Sequence, residues 1–533
     1  MRRALLVAFV AALALWDLGG RSLHVHDTAR WGLLAREMVQ GGEWLVPHRY
    51  GELYVNKPPL YLWAVAAPSA LRGEVTPFLV RLPSALGLIA LVLATAAWGR
   101  LRLGSVRRGQ VAALLTLATP AVFWLGREGR LDMMGSALAV LAAWQLDLAA
   151  SGQGRRRTPW VAGLLLGLAL LTKGPPLLLV PLLAWLLPPP GGRLVPRMRA
   201  ARPWIVFPVM LGVALAWFVP AVLSAGWAAY GYPLLVGQAA DRLAGESTHT
   251  HGALYYLGDV AGEMGPFGVA YLLLGLAALL PRLRARQGAA GPLALGFALG
   301  LLLFSLVPTK QMRYLIPLVP LGAMALTDLL ERVVLVEGRA TARRLAWTGA
   351  AGLGLAAVTA LVLAFRAPYG APWAVVVPAL LLLAVAVLSV LALGRRWCAP
   401  HDVALAGLTV GLALLLSAGL ALRSRWFTTD KETFVRAVAA ALKPGDRLVT
   451  VQGTTPELVF HAAGHADHIP DPRQVPWTSH PGGWVVIGRQ GHEAEIEAAS
   501  GRPATRVAAR GEAGEVALRL AGLGGDDAAP PGG

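Results

Sequence analysis

Leu23 to Trp63, LHVHDTARWGLLAREMVQGGEWLVPHRYGELYVNKPPLYLW, is the longest polar interruption in the first part of a very apolar chain. It follows the first apolar segment and carries an acid, Asp27, several arginines and three tryptophans. It ends on a Lys57-Pro58-Pro59 step that opens another apolar run. A loop of this kind between membrane segments reads as an acid-bearing lid on the outer face.

The surrounding composition sets that frame. The chain has 533 residues, 56% hydrophobic and 15% charged, with a mean hydropathy of +0.56. Soluble domains carry about 25% charged residues, so this chain has too little polar surface to cover itself in water. Apolar windows fall near 4–19, 78–98, 110–126, 133–150, 159–173, 175–188, 203–223, 264–281, 290–308, 313–330, 345–365, 371–394 and 402–422, about thirteen in all. Each must satisfy its own backbone polar groups, which favours helices. The expected fold class is therefore an all-α polytopic membrane protein.

The net charge of +18 follows from arginine-rich loops rather than from a nucleic-acid surface. Those loops, Arg100 to Arg108, Arg155 to Arg157, Arg193 to Arg202, Arg282 to Arg286, Arg332 to Arg344 and Arg395–Arg396, alternate along the chain. With Arg2 and Arg3 they fall on one side, which the positive-inside rule makes the cytoplasm. Parity then requires Pro58 to Leu71 to lie along the interface as an amphipathic helix, with its prolines in the first turn. The same parity places Asp27, Arg127 to Asp132, Lys173, Arg242 to His251 and Lys310 to Arg313 on the outer face. The single cysteine, Cys398, excludes an intrachain disulfide and a Cys-rich zinc site.

Beyond about residue 423 the composition turns polar. A helix is expected at 432–442, strands at 447–451 and 484–487, and further helices at 456–463 and 493–499. The expected organisation is a membrane part, 1–422, with a first outer loop over 20–77. A small α/β extracytoplasmic domain follows over 423–522, and 523–533 forms a disordered tail.

Several side chains in the outer set suit chemistry. Asp27 precedes a helix-like run and Asp132 begins another; either caps a helix, and acids at a membrane border also mark function. Lys57, Lys173 and Lys310, with Arg127, Arg130, Arg242 and Arg313, suit an anionic phosphate, or snorkel to headgroups. Lys173 sits at the tip of a tight turn, LLTKGPP. His249 and His251 form a His-x-His pair that leaves room for a divalent metal, with Glu246 as a further ligand.

Taken together, HDTARWGLLAREMVQGGEWLVP, GELYVNKPPLYLW, VRLPSALG, GREGRLDMM, LLTKGPP, DRLAGESTHTHGALYYL and FSLVPTKQMRYLIPLVP form an ordered pattern over about residues 5–320. The chain resembles the membrane glycosyltransferases of families 39 and 83, related to protein O-mannosyltransferases and lipid A 4-amino-4-deoxy-L-arabinose transferases. The resemblance implies a C-type glycosyltransferase fold in a bacterial inner membrane. It also implies a polyprenyl-phosphate sugar donor, a lipid, glycan or protein acceptor, and inverting transfer on the outer face. It assigns Asp27 and Asp132 as the catalytic acids. Lys57, Arg130, Lys173, Arg242, Lys310 and Tyr314 become the donor-phosphate residues. Thr28 and Asn56 stand where the family often has glutamates, which removes two acids. The rival from another class is a lipid-linked sugar or solute transporter, which would place its polar groups near the midplane of broken helices.

Overall fold

The structure, a computed structural model, describes residues 3–331 except 21, 22, 24, 25, 50, 245–248 and 287, scattered positions between 347 and 362, 373–394, and parts of 433–520. Its contacts divide the chain into two compact units. One comprises Met1–Leu18, Tyr54–Ala64 and Arg81–Leu422, the other Gly19–Leu53, Val65–Val80 and Arg423–Gly533.

The helices of the membrane part include those of the apolar windows and several shorter ones between them. They are α1 (Arg3–Leu15), α2 (His26–Gly41), α3 (Leu60–Arg72), α4 (Pro77–Leu103), α5 (Val106–Ala118), α6 (Pro120–Arg127), α7 (Leu131–Ala150), α8 (Thr158–Lys173), α9 (Leu179–Leu186), α10 (Leu194–Ala200) and α11 (Pro203–Ala225). After these come α12 (Gln238–Ala244), α13 (Tyr255–Glu263), α14 (Gly265–Leu279), α15 (Pro281–Arg286), α16 (Gly291–Leu306), α17 (Met312–Glu331, opening as a 3-10 turn) and α18 (Trp373–Gly394). Among the described residues α4, α7, α11 and α17 are long and apolar enough to cross a membrane, and the bent pair α5–α6 makes a fifth if counted as one span.

Two windows differ from expectation. The 110–126 window is two helices meeting at 68°. Pro120 has no N–H to continue the ladder and pushes Thr119 into extended backbone, φ −69° and ψ 117°. The 175–188 window opens as a 3-10 turn, Pro175–Leu178, and continues for only the eight residues of α9. Its Pro-Pro start explains the tight opening. The windows near 345–365 and 402–422, the helix expected at 456–463 and the tail at 523–533 lie partly or wholly outside the described residues. α3 starts at Leu60, so Pro58 and Pro59 lead into its first turn rather than forming it, with the Pro59 carbonyl accepting from Trp63 at 2.8 Å. Its 13 residues span about 20 Å, short of the roughly 30 Å of a bilayer core.

Small residues let the helices close on one another. A Cβ on Gly163 or Gly167 of α8 would lie 2.7 or 2.6 Å from α11 atoms, at Val206 and Val209 or at Val213. That is the four-residue small spacing by which membrane helices approach. Gly87 of α4 abuts the α7 backbone at Met134 in the same way.

At the far end of α7 a buried carboxylate ties four segments. Asp147 accepts from Trp98 Nε1 at 2.7 Å and pairs with Arg102 and Arg197. Arg102 also donates to the Ala184 and Leu187 carbonyls at the end of α9, at 2.9 and 3.2 Å. Arg197, on α10, donates to the Trp185 and Ala184 carbonyls at 3.1 and 2.9 Å. The two guanidiniums therefore cap a helix end as well as pairing with the acid.

In the second unit Asp27 lies in the first turn of α2, and the short strands β1 (His48–Arg49) and β2 (Glu52–Leu53) form a hairpin. The C-terminal domain of that unit is a five-stranded sheet of β3 (Arg447–Thr450), β4 (Ala466–His468), β5 (Trp484–Arg489), β6 (Ala504–Ala509) and β7 (Glu515–Leu520), in the order β4-β3-β5-β7-β6. β3 is parallel to β4 and β5, while β7 is antiparallel to β5 and β6. Alternation along β5 sends Trp484 and Val486 to one core with Ile496, and Val485 and Ile487 to the other with Phe434. Ile496 sits on α19 (Glu493–Ser500).

Replacing Asp147 with Ala would leave two buried guanidiniums without their carboxylate. A loss of roughly 3–5 kcal/mol is expected, read as a large drop in Tm of the detergent-solubilised protein. An unchanged Tm would mean the arginines find other partners.

Candidate active site

The site of the first unit begins where α7 begins. Asp132 is the second residue of that helix and is 4% exposed. It is paired with the Lys173 ammonium at the last residue of α8, whose side chain is equally buried. Arg313, at the start of α17, reaches the other carboxylate oxygen at 3.7 Å. The Lys173 ammonium lies 4.0 Å from the centroid of the Tyr314 ring, a cation–π contact. Three helix ends thus meet at one carboxylate. Lys173 is there because Gly174, at φ +93°, and the following prolines stop α8 at that residue.

Arg130 acts electrostatically on Asp132, beside Lys173 and Arg313. Its backbone N–H donates to Ser84 Oγ at 3.2 Å, and Ser84 donates in turn to the Leu125 carbonyl. That relay fixes the short loop between α6 and α7. Three cations face one acid, so the cluster carries an excess of positive charge. Arg313 keeps a quarter of its side chain exposed.

A second group of side chains adjoins it through Arg242, whose charge also acts on Lys173. Arg242 Nη2 donates to Gln238 Oε1 at 2.9 Å, one turn earlier on α12. The same oxygen accepts from Lys57 Nζ at 3.4 Å. Lys57 also donates to Asn56 Oδ1 at 2.5 Å and to the Asn56 carbonyl at 2.9 Å. The Gln238 amide nitrogen donates to the Val55 and Asn56 carbonyls. One neutral side chain therefore holds the Lys57 segment and draws two cations to a single oxygen.

Lys310 is placed differently. It is 2% exposed and donates to the carbonyls of Val307, His251 and Pro308 at 2.6, 2.9 and 3.4 Å. Its own backbone N–H donates to the His249 carbonyl at 2.9 Å, and Thr250 bridges Thr309. Lys310 thus binds one loop to another, with its donors used on carbonyls. His251 stacks on Tyr255 with ring centroids 4.0 Å apart. Tyr256, raised above the ordinary phenol range by burial, exchanges hydrogen bonds with the Gln311 backbone. Among the described residues no group of three His, Cys, Asp or Glu side chains converges, and a zinc site normally takes three or four protein ligands. Glu246 lies outside the described residues.

In the second unit Asp27 pairs with Arg30 one turn on, both side chains 18% exposed. Arg30 also lies 5.1 Å from the Trp31 ring.

Comparison with known proteins agrees with this arrangement of helices. The family model described as dolichyl-phosphate-mannose-protein mannosyltransferase matches residues 56–223. That stretch holds Lys57, Arg130, Asp132 and Lys173. An undecaprenyl phosphate-alpha-4-amino-4-deoxy-L-arabinose arabinosyl transferase of Sodalis glossinidius is 38% identical over 188 residues, covering 34% of this chain and 33% of its own. One from Pseudomonas fluorescens is 30% identical over 371 residues, 63% of this chain and 61% of its own. The crystal structure of ArnT from Cupriavidus metallidurans bound to undecaprenyl phosphate aligns over 97% of both chains, with a TM-score of 0.73 and 18% identity. The chain is related to the polyprenyl-phosphate-dependent membrane glycosyltransferases. It has the fold of ArnT, and it spans about a third to three-fifths of the length of the curated relatives named here.

Gln238 lay outside the sequence-based candidates. Glutamine in GQAADRL carries no motif, and its partner carbonyls are about 180 residues away. Replacing Gln238 with Leu should release the 55–57 segment and speed amide hydrogen exchange there, leaving the core of α7 protected. Unchanged exchange over 55–57 would show that other contacts hold that segment.

Proposed function

We propose that the chain is an inverting membrane glycosyltransferase that takes a sugar from a polyprenyl-phosphate donor. The acceptor is a lipid, glycan or protein group on the outer face of a bacterial inner membrane. The observation that carries this is the excess of cations around buried Asp132 at the meeting ends of α7, α8 and α17. A carrier phosphate is an anion that gains charge as the sugar–oxygen bond breaks, and fixed guanidinium and ammonium groups in a half-dry site stabilise that charge. The curated relatives named above carry undecaprenyl phosphate in their names, and the matching crystal structure holds that lipid.

In this reading Lys173, Arg313, Arg130, Arg242 and Lys57 face the donor phosphate, and Tyr314 borders Lys173. Asp132 positions Lys173 by holding its ammonium. Asp27 is the acid that takes the acceptor proton. The acceptor oxygen forms the new bond at the sugar carbon, the carrier phosphate leaves with the bonding pair, and the configuration inverts. About thirteen spans would put the small C-terminal domain, residues 423–522, on the extracytoplasmic side of that membrane.

Transfer from undecaprenyl-phosphate sugar by the purified protein tests this. Asp27→Asn is expected to lower turnover about 100-fold or more with normal expression; wild-type turnover would remove Asp27 from the reaction. Lys57→Ala is expected to raise the donor KM with kcat nearly kept. Unchanged donor dependence would assign Lys57 to lipid headgroups instead.

A further inference from the structure

A cavity of about 680 Å³ lies at the other end of the helices, within the first unit. Its apolar wall comes from Leu6 of α1, Leu93 and Ala97 of α4, and Trp144 and Leu148 of α7. Its polar lining is Arg100, Gln110 and Gln153, with Arg100 and Gln153 exposed. Val7 and Val106 also line it and are 42% and 43% exposed, so the cavity opens between α1 and the start of α5. The size falls in the range of ligand pockets, about 300–1,000 Å³.

Its position separates it from the site above. Trp144 is twelve residues beyond Asp132 on α7, which is about 18 Å along the axis. On α4, Arg100 is likewise far from Ser84, which serves the Asp132 loop. The end it occupies carries exposed Arg107, Arg155, Arg156 and Arg157. Those are the arginines that mark the cytoplasmic face by the positive-inside rule.

We propose that this cavity binds one anionic glycerophospholipid of the cytoplasmic leaflet. One acyl chain lies against the Leu6–Leu93–Trp144 wall. The phosphate sits at Arg100, with Gln110 and Gln153 donating to its oxygens. Charge complementarity selects the occupant: the charged residue lining the cavity among those described is a cation, and the surface around it is basic. The segregation of an apolar wall from an amide-and-guanidinium edge matches an amphipathic lipid and not a soluble anion. The proposal does not rest on the transferase reading, and its test needs no activity.

Delipidated full-length protein would be given phosphatidylglycerol or phosphatidylcholine of identical chains, and retained lipid counted by native mass spectrometry. The wild type is expected to hold one phosphatidylglycerol with about fivefold preference, the ratio that corresponds to ~1 kcal/mol for one arginine near an anionic lipid surface. Arg100→Gln should bring the two lipids level while leaving retention of the neutral one. Ala97→Trp should fill the cavity and abolish the retained lipid, with an unchanged gel-filtration profile confirming the fold. Equal retention of both lipids by the wild type overturns the proposal. So does a preference that survives Arg100→Gln. Displacement of the phosphatidylglycerol by undecaprenyl phosphate, lost in Ala97→Trp, would give the cavity to the carrier instead and overturn it too.

Discussion

A carboxylate at the first turn of a helix that lies among apolar side chains has to be matched by a cation, and Asp132 is matched by Lys173. Removing either partner leaves a buried charge, which costs several kcal/mol. That requirement fixes where α8 must stop, because its last residue has to reach the first turn of α7. It also fixes the start of α17, where Arg313 and Tyr314 close the other sides of the pair. The Gly174–Pro175–Pro176 break and the short Arg130 loop serve this one meeting point.

The two ends of α7 show what the same chemistry does under different constraints. Asp147, about 22 Å along the helix from Asp132, meets Arg102, Arg197 and Trp98, with the guanidinium donors continuing onto α9 carbonyls. Both arginine side chains there are 5% exposed or less. Such a knot is closed and serves as a staple between helices. At Asp132 the cations exceed the acid, Arg313 is partly open, and the Lys57–Gln238–Arg242 group adds further positive charge. Cations at a partly open site can take an anion, whereas a buried set whose spare donors are spent on carbonyls does not.

Much of the helical plan was legible because bilayer-length apolar runs report themselves through hydropathy. Asp132 and Lys173 stood out by lying at run boundaries, and their meeting is a tertiary fact that no local pattern encodes. Lys310 shows the limit: it sits in the same kind of loop as Lys57, yet three carbonyls of its own neighbourhood take its donors. Arg102 and Arg197 were readable as loop charge, and only Asp147 in an otherwise apolar run hinted that they turn inward. The bend at Thr119 was written in Pro120, but the apolar window ran through it because hydropathy ignores backbone geometry. In the C-terminal domain, β3 and β5 announced themselves as short runs rich in β-branched and aromatic residues. The three-residue β4, the alanine-rich β6 and β7 with its single valine lacked the β-branched and aromatic density that marks a strand.

The central claim is that the charges around Asp132 hold a carrier phosphate, beyond holding the helices. A double variant separates those two roles. Asp132→Leu with Lys173→Met removes both members of the pair, so the fold should survive, since a buried ion pair can be exchanged for apolar residues at little cost. The measurement is the affinity of that folded variant for undecaprenyl phosphate in detergent micelles. A steep loss of affinity with a wild-type unfolding temperature is the predicted result. Wild-type affinity in the double variant would contradict the account and leave the pair a purely structural fastening.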